Sequence, residues 1–117
     1  ATVHELGIAK DFWNVISETA KSNKLKSITR ISITLGEASG IEEEFLRHSL
    51  IDHILPGTIA EKAELRIIKK PLTAKCKSCG LTITKDIMKK LSCPSCGSVD
   101  IEIVSGKEAY VENIEGK

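Results

Sequence analysis

Four cysteines stand in two matching settings, "CKSCG" at 76–80 and "CPSCG" at 93–97, and the 117 residues contain no other cysteine. Cys76, Cys79, Cys93 and Cys96 therefore form C-x2-C-x13-C-x2-C. A two-residue gap lets one tight turn aim two sulfurs at a common point. Two such turns complete a tetrahedron of thiolates, with metal–sulfur distances of about 2.3 Å. Gly80 and Gly97 follow the second cysteine of each pair. A glycine there tolerates positive φ and lets backbone N–H groups curl towards the sulfurs. Four thiolates with no fifth ligand make a closed, structural site, for which Zn²⁺ is the favoured occupant. A rubredoxin-type iron site shares the ligand set. A redox dithiol would need one such knuckle rather than two, and disulfides are uncommon inside cells. A lobe of about 25 residues cannot bury enough surface to hold itself, whereas zinc binding contributes on the order of 10 kcal/mol.

A second set of ligand types opens the chain at "VHEL", where His4 and Glu5 adjoin one another near the free amides of a helix start. From chemistry alone, a lone histidine in that place is more often a surface or capping residue than a metal ligand. His48 and His53 are five residues apart on an expected helix. Their side chains should diverge by roughly 140° and not share an ion.

The elements that must position these groups follow from periodicity. Residues 4–23 read as an amphipathic helix with Ile8, Phe12, Val15, Ile16 and Thr19 on one face. "SITRISITLG" alternates as a strand, Ile31, Ile33 and Leu35 pointing one way and Ser32 and Thr34 the other. After the loop "GEASG" comes a second helix, 41–55, with Glu42, Glu43 and Glu44 in its first turn, where negative charge suits the helix dipole; "PG" at 56–57 stops it. "AELRIIKK" at 63–70 is a second strand. Beyond the cysteines, "VDIEIV" at 99–104 and "EAYVENIE" at 108–115 read as a hairpin. The expected class is α+β, two helices packed on a small sheet with an inserted four-cysteine zinc-ribbon lobe. The expected domains are an α/β body of residues 1–73 plus 99–117 and a zinc-binding domain of residues 74–98.

Composition narrows the function. The chain is 41% hydrophobic and 28% charged with a net charge of +1, which excludes a polycationic nucleic-acid binder. No run of eighteen apolar residues exists, so no transmembrane helix is expected, and no signal peptide pattern opens the chain. A cytoplasmic protein is the expectation. Lys69, Lys70, Lys75, Lys77, Lys85, Lys89 and Lys90, with Asp86 the one acid among them, make a local basic patch. It holds neither arginine nor aromatic residue, so bidentate base contacts and stacking platforms are both missing. A solvated lysine face is the plainer account, and a docking face for an acidic partner is the alternative. An enzyme is not expected: there is no nucleophile–base pair, no glycine-rich phosphate loop and no open catalytic zinc site.

"VHELGIAKDF", "ITLGEASGI", "GTIAEKAEL", the two CxxCG knuckles and "GKEAYVENIE" occur in that order over nearly the whole chain. The set resembles the HypA/HybF family of hydrogenase maturation proteins, nickel metallochaperones that help load nickel–iron hydrogenase and, in some organisms, urease. The resemblance implies a nickel domain with an α/β fold and a separate zinc lobe. It places the nickel ligand of an N-terminal Met-His-Glu on His4, with Glu5 as accompanying carboxylate and Glu42 as a third, acidic position. It implies Ni²⁺ as transient cargo beside structural Zn²⁺, with the nickel-handling GTPase HypB and the hydrogenase large subunit as partners and no nucleic acid. A homodimer made by exchange of zinc lobes stays open. The motif here is preceded by Ala1 and Thr2. We expect these two residues to be vector-derived and Val3 to be the native start. The runner-up is a zinc-ribbon nucleic-acid-binding or transcription-associated module, which would leave His4 and the α/β body unexplained.

Overall fold

The computed structural model describes residues 3–84 and 91–117, with side chains from residue 7 onwards. Ala1, Thr2, the side chains of His4 and Glu5, and the Lys85–Lys90 part of the basic patch lie outside the described residues. The elements run α1 (Val3–Ser22), β1 (Ile28–Gly36), α2 (Glu43–His48), a π-helical segment (Ser49–Ile54), β2 (Glu64–Lys70), β3 (Thr73–Cys76), β4 (Thr82–Ile83), β5 (Ile101–Ser105) and β6 (Ala109–Gly116). No described helix is long and apolar enough to cross a membrane. The chain divides into two compact units.

The first unit comprises Ala1–Thr34, Ile41–Ile68 and Ala109–Lys117. Its sheet has the order β2-β1-β6. α1 packs against β6, α2 and the π-helical segment. The buried stripe of α1 is Ala9, Phe12, Ile16 and Ala20, at helical spacing. It is rotated from the expected face: Val15 is 52% exposed, and Thr19 turns its hydroxyl to the Val15 carbonyl. Two small alanines let the helix approach closely, which a count of large apolar residues overlooks. β1 runs through the middle of its sheet and is buried on both faces from Ile31 onwards, so Ser32 and Thr34 are buried as well. Thr34 satisfies its hydroxyl by donating to the Glu112 carboxylate at 2.9 Å. On the more exposed part of the strand, Arg30 bridges both neighbours, reaching Glu64 at 3.0 Å and Glu115 at 2.9 Å.

The second unit comprises Leu35–Gly40 and Lys69–Glu108. Its sheet is β4-β3-β5. Both pairings are antiparallel, with Ala74 opposite Ile83 on one side and Ile103 on the other. The expected hairpin of 99–104 with 108–115 does not form: β5 pairs with β3, and β6 joins the sheet of β1. Alternation identified two strands but carried no information on which edge each would take. Ile101 and Ile103 of β5 pack on the cluster of Leu72, Ala74, Cys76, Ile83 and Cys93. A lobe cut at 74–98 would lack this strand and its packing. The chain turns out of β5 at Gly106, whose φ is +92° and whose Cα lies so close to the Leu72 backbone that a Cβ would meet it at 2.6 Å.

Candidate metal centre

The two knuckles are built alike. In the first, Gly80 N donates to the Cys76 carbonyl at 2.9 Å and Cys76 N to the Leu81 carbonyl at 2.9 Å. In the second, Gly97 N donates to the Cys93 carbonyl at 2.8 Å and Cys93 N to the Ser98 carbonyl at 2.7 Å. Gly80 and Gly97 take φ of +80° and +75°, the left-handed conformation that the turn requires. Ser78 and Ser98 join the knuckles through their hydroxyls, 2.9 Å apart. The first cysteine of each pair, Cys76 or Cys93, is buried in the apolar cluster; the second, Cys79 or Cys96, is exposed.

The four sulfurs lie within 4.8 Å of one another. The Cys76–Cys96 and Cys79–Cys93 sulfurs are each 3.6 Å apart. Disulfide sulfurs would stand at about 2.05 Å, whereas thiolates about 2.3 Å from a tetrahedral ion stand about 3.8 Å apart. The set therefore fits a tetrahedral metal and not a pair of bridges.

Backbone amides set the thiol acidities in the metal-free state. The Cys79 N–H, helped by that of Ser78, holds Cys76 down at about 6 against the opposing effect of burial. The Cys96 and Ser95 amides lower Cys93 in the same way. Cys79 and Cys96 each receive one amide, from Leu81 and Ser98, which lowers them. The neighbouring thiols and burial outweigh it, so Cys79 is raised and Cys96 is pushed up to about 12. The first cysteine of each knuckle is thus the more acidic of its pair, and binding a divalent cation would let all four ionise.

The other predicted ligands have different surroundings. His4 and Glu5 fall in the first turn of α1. Glu42 is the N-cap of α2, its Oε2 accepting the Phe45 N–H at 2.9 Å. The second helix does not continue as an α-helix to residue 55 but changes to π winding at Ser49. His48 and His53 do not diverge as expected: their rings stand 5.2 Å apart, edge to face. His48 Nδ1 is paired with the Asp52 carboxylate. The helical repeat assumed for this pair was the wrong one, and nothing in the local sequence announces a π turn.

A family model described as "Hydrogenase/urease nickel incorporation, metallochaperone, hypA" matches residues 3–116. The chain belongs to the HypA family. Among HypA relatives, the hydrogenase maturation factor of Aquifex aeolicus is 34% identical over 113 residues, covering 97% of this chain and 96% of that one. That of Wolinella succinogenes is likewise 34% identical, covering 97% and 94%. The fold agrees with the solution structure of the Ni metallochaperone HypA from Helicobacter pylori, with a TM-score of 0.68, 20% identity and 96% of each chain covered. A second HypA solution structure gives a TM-score of 0.72 at 20% identity, covering 100% of this chain and 98% of that one. HypA proteins are metallochaperones of hydrogenase maturation and not enzymes.

Proposed function

We propose that this HypA protein carries Ni²⁺ on His4, with Glu5 as accompanying carboxylate, while Zn²⁺ on Cys76, Cys79, Cys93 and Cys96 holds the second unit together. The observation that carries this division of labour is the four-sulfur cluster, in which every tetrahedral position is taken and two ligands are part of an apolar core. Such a centre has no open position through which cargo could enter or leave. Cargo needs the opposite, a few imidazole and amide nitrogens near the chain end, where an incoming ligand can attach before the old ones leave. Glu42 already spends Oε2 on its helix cap, so it contributes to nickel through Oε1 or through a bridging water. The client is the hydrogenase large subunit, urease is a second client, HypB is the partner in transfer, and the setting is cytoplasmic.

Calorimetric titration of the zinc-loaded chain with Ni²⁺, beside His4→Ala, tests this reading. The expected result is a tight nickel site in the parent that is lost in the variant, with zinc retained in both. Equal tight binding by both proteins would return His4 to the role of an ordinary helix-start residue.

A further inference from the structure

The π-helical segment makes a constellation that neither the cysteine centre nor the His4 site uses. Its defining bond is Leu55 N to the Leu50 carbonyl, five residues back, at 2.8 Å. This wider winding brings a residue nearer to the one five before it than an α-helix does. His48 and His53 are thereby brought to one face, their ring centroids 5.2 Å apart and their planes at 82°. Two imidazoles bound through nitrogens about 2.1 Å from one ion have centroids about 4.6 Å apart in a right-angled geometry and about 5.3 Å apart in a tetrahedral one. The observed spacing lies within that range.

The carboxylate of Asp52 pairs with His48 Nδ1. A carboxylate in that position holds the ring with its proton on Nδ1 and leaves the Nε2 lone pair for a metal. His48 and Asp52 side chains are 50% and 53% exposed, and His53 is exposed too, so a hydrated ion has access. The neighbouring cation, Arg47, is engaged with the Leu65 carbonyl at 3.0 Å and with Glu43 at 3.4 Å.

We propose that His48 and His53, with Asp52 orienting His48, form a second, surface site for a late first-row divalent ion such as Ni²⁺. Imidazole nitrogen selects such ions over Mg²⁺ and Ca²⁺. Two protein ligands with water completing the shell make a labile site, suited to capturing an ion and giving it up. Asp52 acts as a positioning residue.

The test is a Ni²⁺ titration of tag-free, zinc-loaded full chain carrying His4→Ala, so that the cargo site proposed above is absent from every arm. Calorimetry gives the affinity, and long-range proton–nitrogen spectra follow the imidazole rings. Paramagnetic nickel should broaden the His48 and His53 ring signals together at substoichiometric amounts. His53→Ala should weaken the remaining affinity at least tenfold, and Asp52→Asn about tenfold. No residual nickel binding, broadening of one ring alone, or an affinity unmoved by His53→Ala would each overturn the site. The His4 reading is judged separately, by the tight site of the parent chain.

Discussion

The two units of this protein solve the same stability problem by different means. The first buries Ile16, Ile31, Ile33, Leu46, Leu50 and Leu55 completely or nearly so, under two helices. Among the described residues, the second has a cluster of five that are buried, two of which are the cysteines themselves. Each fully buried Leu or Ile contributes about 1.5–3 kcal/mol to the first unit. Among its described residues the second unit buries fewer large apolar side chains, and a metal on its four cysteines would supply what that core does not. The lesson is that a metal site woven into a core is a structural member, whereas cargo is better held by residues on which no core depends.

The largest expected effect is in the second unit. Removing zinc with a chelator, or replacing Cys76 by Ser, should forfeit on the order of 10 kcal/mol there. Amide signals from Thr73–Cys76 and Ile101–Ser105 should collapse into the narrow range of an unfolded chain. Those of Ile16, Ile31 and Leu50 should stay dispersed. Persistence of the second sheet without metal would break the comparison, because its apolar cluster would then suffice alone.

The complementary change is Leu50→Ala, at a side chain with no exposed surface in the first unit. The lost transfer energy and the cavity together should cost about 2–5 kcal/mol. Urea denaturation of the zinc-loaded protein would measure it, and zinc content should remain unchanged. Loss of zinc from this variant would mean that the two units share one cooperative transition.

The pH dependence of zinc binding sharpens the picture of the centre. Near neutral pH the metal-free protein keeps protons on Cys79, which is raised, and on Cys96, at about 12. Cys76, at about 6, is already ionised there. Zinc must therefore displace at least two protons. The metal-free state binds more protons, so acid favours it, and apparent affinity should fall roughly hundredfold or more per pH unit as pH drops. Below about 6 the fall should steepen as Cys76 also takes up a proton. Competition against a chelator of known affinity from pH 8 to pH 5.5 would give the slope; a slope of one proton or fewer would contradict this ordering of the thiols.

Much of the metal centre was legible in the chain because its determinants are local. The spacing within each CxxC pair and the glycine after it define a turn of about five residues, and both turns close as their residues demand. α1 and β1 were legible for the same reason, since periods of 3.6 and 2 report local geometry. The exact stripe of α1 was not. Ala9 and Ala20 are buried because of what packs on them, while Val15 is apolar and exposed.

What the sequence by itself determined was the four-cysteine cluster, the knuckle turns, the presence of β1, β2, β5 and β6, and the family. β3 and β4, short strands beside the cysteines, carry too little alternation to be read. Tertiary structure alone decided that β5 would complete the sheet of the cysteine unit while β6 went to the other. A strand's alternation specifies its faces, but its neighbours are chosen by the apolar surface waiting on the far side. It also decided that the chain after His48 would wind as a π-helix and bring His53 beside it. One altered hydrogen-bond register is enough to turn two diverging histidines into a pair, and that register belongs to how the segment packs against α1.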